Sequence, residues 1–261
     1  MHVVVLLKQV LDPEIPAKAF DIDQGRKAPK VERAPQVLSI FDGNALELAL
    51  KLREARADVR ITALTLGPQQ ADEALRKALA LTCDEAVRVD AEEGALDSHQ
   101  KARLLAAALR LLEPWDLVLA GRQAADWEAG QVGAMVAEEL ALPCVPFVSR
   151  VEQAAEPLAV RQQLESGYAV MQLGGPAVLT VTNDETNVLR AAKVKDVMAA
   201  GRKPLRVLQA GEILADLGES AVEVLSLALP PKPERAEIVE GGSMEEKASA
   251  LARRLRELGA I

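Results

Sequence analysis

Aromatic side chains are scarce in this sequence: three phenylalanines, two tryptophans and one tyrosine in 261 residues. A stacking platform for single-stranded nucleic acid needs more of them. Histidine is as rare, with only His2 and His99, far apart in the chain. A metal centre or a serine–histidine triad has little to be built from. The two cysteines, Cys83 and Cys144, have no metal-ligand spacing and make no disulfide framework, which fits a reducing cytoplasm. No apolar run reaches about eighteen residues, so no membrane span or direct membrane insertion is expected. Met1 leads straight into Val3–Leu7 without a positive stretch or cleavage site, so no secretory signal is expected. Basic residues are outnumbered, 31 to 39, for a net charge of −8. Sequence-independent nucleic-acid binding requires the opposite sign.

What the chain does have is apolar content and rhythm. Hydrophobic residues make up 49% and charged residues 27%, enough for one large core or a core plus an arm. Short apolar runs at Val3–Leu7, Arg60–Leu66, Glu85–Val89 and Leu117–Ala120 read as buried strands. Helical spacing marks Ala45–Arg56, Gln70–Ala80, Leu96–Leu112 and Gln131–Leu140. Strands alternating with helices predict right-handed crossovers and a mostly parallel, Rossmann-like α/β sheet. After Leu140 the rhythm tightens. Val145–Val151, Leu158–Leu164, Ala169–Leu173 and Val178–Thr182 read as added antiparallel strands with a hairpin, punctuated by Gly167 and Gly174-Gly175.

Asn183–Lys203 is polar, with a basic end. Pro230-Pro231-Lys232-Pro233 then breaks and stiffens the chain. Ser243–Leu258 follows as an amphipathic helix with Ser243 as N-cap and Glu246 completing a capping box; Ala248, Leu251, Leu255 and Leu258 form its stripe. This divides the chain into an α/β domain, 1–229, and a C-terminal arm, 230–261. Pattern alone leaves two fates for the arm: docking on a partner, or packing back on its own domain.

In open α/β sheets, ligands bind at the carboxyl ends of strands near a switch in strand order. The most unusual such segment here is Gly121-Arg122-Gln123-Ala124-Ala125-Asp126-Trp127-Glu128-Ala129-Gly130-Gln131-Val132-Gly133. Its glycines let a ligand approach the backbone, and the helix start after it offers free N–H groups to a phosphate. It is neither a Walker A loop nor a G-x-G-x-x-G fingerprint. On pattern alone, Asp126 and Glu128 equally suit a helix cap.

These residues carry a resemblance. Val3–Val10, with Lys8-Gln9, resembles the opening of the electron transfer flavoprotein beta subunit family. Phe41-Asp42-Gly43-Asn44-Ala45-Leu46-Glu47 is similar to that family's Asn-Pro-Phe/Tyr…Ala-Val/Leu-Glu-Glu-Ala segment. Leu66-Gly67-Pro68 matches its glycine–proline turn. Gly121–Asp126 with Gln131-Val132-Gly133 matches its Gly-Lys/Arg-Gln-Ala-x-Asp loop ending in Gln-Thr/Val-Gly. Asn187–Met198 lines up with its Asn-Glu-Pro-Arg-Tyr recognition segment. The match runs in order along essentially the whole chain.

The resemblance implies a heterodimer with an alpha subunit that owns most of the redox FAD. Electrons would pass from flavin dehydrogenases, such as acyl-CoA dehydrogenases, to a quinone oxidoreductase or another acceptor. The beta chain itself is a carrier subunit, not an enzyme, and its own site would hold AMP or, in electron-bifurcating relatives, a second FAD. By position the resemblance implicates Leu6, Lys8, Ser39, Ile40, Phe41, Asp42, Leu66, Gly121, Arg122, Gln123, Ala124, Ala125, Asp126, Trp127, Glu128, Ala129, Gly130, Gln131 and Val132 in cofactor binding. Phe41 would approach the alpha-subunit flavin; otherwise it is a core aromatic. Arg190, Val194 and Met198 would meet the donor, with Lys193 and Lys195 steering an acidic partner.

Departures from the family pattern sharpen the expectation. Val132 replaces the threonine of the simple carriers and offers no hydroxyl to a phosphate, which favours a second FAD over AMP. Trp127 is placed to stack on a ring or cover a pocket. Leu189 and Ala191 replace the recognition segment's proline and tyrosine, and Val194 stands at its anchor leucine. Two other classes compete. An ATP-pyrophosphatase-type ligase needs a serine- and glycine-rich loop after the first strand, where this chain has Lys8-Gln9-Val10-Leu11-Asp12. A sensing module without redox work would purify colourless with its partner.

Overall fold

Val3, Val4 and Val5 are wholly buried in the computed structural model, so the first strand has apolar cover on both faces. The structure describes residues 1–31, 35–152, 157–231 and 236–261. Lys232 and Pro233 of the proline-rich break lie outside the described residues. In chain order the strands are β1 (His2–Leu7), β2 (Gln9–Leu11), β3 (Asp21–Asp23), β4 (Ala28–Lys30), β5 (Gln36–Leu38), β6 (Arg60–Leu66) and β7 (Glu85–Asp90). Then come β8 (Leu117–Gly121), β9 (Cys144–Glu152), β10 (Ala159–Leu164), β11 (Gly167–Gln172), β12 (Ala177–Val181) and β13 (Arg206–Gln209). The helices are α1 (Ile40–Ala55), α2 (Asp72–Ala80), α3 (Ser98–Arg110), α4 (Val132–Glu139), α5 (Val194–Ala200), α6 (Ala210–Ile213) and α7 (Met244–Glu257).

Nine strands form one sheet in the order β11-β10-β9-β12-β8-β1-β6-β7-β13. β1 pairs parallel with β6 on one side and β8 on the other. The chain therefore builds outward from β1 through β6 and β7, then returns to β1's opposite flank. That reversal puts the topological switch point at the carboxyl ends of β1 and β8. Two cores flank the sheet. One joins Val3, Val5, Leu119 and Leu179 to Leu46 and Leu50 of α1 and Leu75 of α2. The other joins Val4, Leu64 and Val118 to Leu105 and Leu109 of α3 and Val136 of α4. Alternate side chains of β1 feed opposite cores, as the two-residue period of a strand requires.

The expected α/β sheet is present, with three differences. The first helix begins at Ile40 instead of Ala45, so Phe41 and Asp42 fall in its first turn. β10 runs antiparallel to both β9 and β11, as expected, but β12 runs parallel to both β8 and β9. All five of its residues are buried. A strand covered on both faces reads as an unbroken apolar run, which carries no signal of direction. β13, just past the polar stretch that ends at Lys203, adds a parallel edge to β7.

The chain divides into two compact units, Met1–Leu227 and Ala228–Ile261. In the second, the Ser243 side chain accepts from Glu246 N–H at 3.2 Å and caps α7. The Glu246 carboxylate accepts from Gly242 N–H at 2.7 Å, one residue short of the reciprocal capping-box bond. No helix among the described residues is long and apolar enough to cross a membrane.

Candidate functional site

The carboxyl ends of β1 and β8 are tied together by one side chain. Asp42, in the first turn of α1, accepts from Lys8 N–H at 2.8 Å and from Gly121 N–H at 3.0 Å. It is buried, and burial pushes its carboxyl up to about 7 against the two N–H donors, which pull the other way. Gly121 is a glycine because α1 lies on it. A Cβ there would stand 2.6 Å from Asp42 Oδ1 and 2.7 Å from the Phe41 carbonyl carbon.

Above this floor, Lys8 Nζ reaches Asp126 at 2.6 Å and Glu93 at 2.9 Å. Burial pulls the ammonium's pKa down, but the two carboxylates outweigh it and raise it above the ordinary lysine value. Lys101 also reaches Glu93, at 3.2 Å. One rim of the site is thus a network joining the ends of β1 and α3 to the loops after β7 and β8. Arg88, buried at the end of β7, extends this polar edge through Asp72 at 2.8 Å, Gly67 C=O at 3.0 Å, and Asp90.

The loop after β8 is open. Residues 126–131 are exposed, and Trp127 is 55% accessible. Arg122 stacks its guanidinium over the Phe41 ring, 4.9 Å from the centroid. Gly130 has φ +64°, the left-handed conformation that glycine adopts without steric cost. Gln131 precedes α4, and neither Asp126 nor Glu128 caps that helix; Asp126 bonds instead to Trp127 N–H and Lys8. The first intrahelical bond of this end runs from Met135 N–H to Gln131 C=O, so the N–H groups of Val132, Gly133 and Ala134 have no helical acceptor.

Two buried side-chain atoms at this edge have no hydrogen-bond partner among the described residues: Ser39 Oγ and Arg122 Nε. A third, Asn44 Oδ1, lies farther along α1; buried polar atoms are nearly always paired, so each calls for a water, an ion or another polar group.

The structure brings Lys8, Ser39, Phe41, Asp42 and the start of the 121–132 loop to one edge. Leu6 and Leu66 are buried in the second core beneath it, and Ile40 projects outward, 63% exposed. The recognition residues fall elsewhere. Val194 and Met198 are exposed on α5, while Arg190 is engaged with Glu47 and Glu54 of α1. Sequence reading missed Glu93, which meets Lys8 only through the fold. It also missed Asn44, Glu47, Lys51 and Glu54, whose helical spacing was a legible signal.

Comparison with known proteins decides the family. Residues 30–213 match the electron transfer flavoprotein domain. The electron transfer flavoprotein subunit beta of Thermoanaerobacterium thermosaccharolyticum is 34% identical over 98% of both chains. The chain belongs to the electron transfer flavoprotein beta subunit family. The subunit beta of Clostridium acetobutylicum is 36% identical over 83% of this chain and 81% of its own. Subunit CarD of the caffeyl-CoA reductase-Etf complex of Acetobacterium woodii is 32% identical over 98% of both. As a member of the electron transfer flavoprotein beta subunits, this chain has an electron-transfer role with an alpha partner, in association with flavin.

Proposed function

We propose that the carboxyl edge at β1 and β8 binds an adenine nucleotide, FAD in preference to AMP. In this reading the chain helps seat the alpha subunit's redox FAD. The heterodimer then carries electrons from a flavin dehydrogenase, such as an acyl-CoA dehydrogenase, to a quinone oxidoreductase or another acceptor. The observation that carries it is the pair of buried polar atoms, Ser39 Oγ and Arg122 Nε, at the switch point of the sheet, which have no partner among the described residues.

The residues present fit the group. Backbone at Gly121–Ala124 suits the adenosine part, and the uncommitted N–H groups at the start of α4 suit a phosphate. When bound, FAD supplies the reversible acceptance of electrons. The chain's own task is to bind and orient: Asp42 holds the floor, the Lys8 network fixes one rim, and Phe41 with Arg122 forms an aromatic–guanidinium wall. Val132, at the first position of α4, gives a phosphate its N–H but no hydroxyl, which supports FAD over AMP. The relative named for caffeyl-CoA reductase supports a CoA-linked redox partner, which as a reductase would accept electrons.

The donor docks, in this reading, on the segment around Arg190, Val194 and Met198, where a hydrophobic anchor carries much of a transient contact. The C-terminal arm, 230–261, docks on the alpha subunit. The exposure of Met244, Leu251 and Leu258 supports this. Removing residues 231–261 should lower heterodimer yield on gel filtration; an unaltered yield would count against that role.

The deciding experiment is the cofactor content of the purified heterodimer. Denaturation and chromatography should release two FAD per heterodimer. One FAD plus one AMP would leave nucleotide binding standing and overturn the preference for FAD. An assembly free of adenine compounds would overturn the reading itself.

A further inference from the structure

Helix α1 has two jobs on two parts of its surface. Its first turn supplies Phe41 and Asp42 to the carboxyl edge. Farther along, Asn44, Glu47, Lys51 and Glu54 recur at spacings that put them on one stripe. Every member of that stripe grips the same short segment. Asn44 Nδ2 donates to Asn187 C=O at 2.8 Å. Lys51 Nζ donates to Thr186 C=O and, at 3.2 Å, to Asn187 Oδ1. Glu47 accepts from Arg190 N–H at 3.2 Å, from its Nε at 3.0 Å, and from its terminal nitrogen at 2.7 Å. Glu54 takes the remaining arm of the same guanidinium.

This is an expensive arrangement to keep. Asn44, Glu47 and Asn187 are buried, and a buried carboxylate is costly unless paired and hydrogen-bonded. What it holds leads into an exposed apolar surface: Val188, Val194, Val197 and Met198 are each more than half accessible. Within α5 only Ala200 is buried, and the helix lies against α2. Its far end is tied by Arg76 to Ala200 C=O at 2.7 Å and to Lys203 C=O.

We propose that Glu47, acting through Arg190, is a positioning residue for the electron donor: it fixes the pose of the Val188–Met198 surface without touching the donor. The proposal rests on the reading that this surface docks the donor. It gives Arg190 an indirect part, because its guanidinium is engaged by two carboxylates of α1.

The test uses the heterodimer, with an acyl-CoA dehydrogenase and its acyl-CoA substrate as donor. Glu47→Gln keeps the side chain's size and removes its charge. Hydrogen exchange at the amides of residues 187–192 should accelerate about tenfold. The KM for the heterodimer should rise about fivefold or more, with kcat and flavin content within twofold of wild type. Glu47→Asp, which keeps the charge, should recover part of both. If Glu47→Gln does not fold, Arg190→Lys, which keeps the cation but loses the fork, should give the same split more mildly.

Unchanged exchange in these variants overturns the proposal. So does a fall in kcat that tracks loss of flavin, because that is a purely structural defect. Val194→Asp separates the underlying reading. If its KM is unchanged, the donor docks elsewhere and the proposal falls with that reading. If its KM rises while that of Glu47→Gln does not, the donor surface stands and the role of Glu47 fails.

Discussion

Gly121 and Gly130 bound the same loop and are glycines for different reasons. At Gly121 there is no room: a Cβ would meet the first turn of α1 at 2.6–2.8 Å. At Gly130 there is room, with Arg122 C=O at 3.4 Å, but the backbone sits at φ +64°. The first end of the loop is part of the packed floor, bonded to Asp42 and continuous with the sheet. The second belongs to an exposed cover whose shape is set locally. An edge built this way has a packed base and an exposed lip, and glycine spacing alone does not reveal which is which.

The largest expected effect tests the floor. Gly121→Ala forces a close contact onto backbone atoms of α1, and such overpacking costs about 1–3 kcal/mol or more. A thermal melt should show Tm falling by roughly 5 °C or further at this chain length. A variant as stable as wild type would mean that α1 is free to move off the loop.

Asp42→Asn comes next. An amide has one acceptor where the carboxylate has two, so one of the Lys8 and Gly121 N–H groups is left without a partner, at about 1–3 kcal/mol. The pH dependence has a definite sign. The folded carboxyl titrates at about 7 against an ordinary 3.8, so between these values the folded state binds more protons than the unfolded state. Its contribution to stability is complete below about pH 4, declines as pH rises to about 7, and is flat above. Denaturant midpoints across this range should show that decline in wild type and lose it in Asp42→Asn; parallel profiles would refute the assignment.

The smallest expected effect is in the cover. Gly130→Ala must hold a left-handed conformation at roughly 1–2 kcal/mol, with only an ordinary contact to Arg122. Stability should fall less than in Gly121→Ala, whereas nucleotide content of the heterodimer should fall more. The reverse order would erase the distinction between the two ends.

Much of the fold was legible in the sequence. β1, β6, β7 and β8 are apolar runs spaced by helical patterns, and those periods dictate a parallel sheet with two cores. The direction of β12 was not legible, because burial on both faces removes the alternation that marks an antiparallel, half-exposed strand. β13 escaped notice because only Leu208 among its four residues packs inward. At the site, the 121–133 loop stood out by composition and by family likeness. The Lys8–Glu93 pair could not be read, since the 84 residues between them carry no trace of it. The polar stripe of α1 was visible as spacing, but its meaning waited on the segment that the fold lays across it.

Gly133, one residue into α4, sits against the sheet so closely that a Cβ would stand 2.7 Å from Thr180 Cγ2 on β12. The origin of that helix is therefore pegged by the strand it crosses, independently of the ten residues that lead up to it. The electropositive helix tip thus keeps its place whatever shape the exposed loop before it takes.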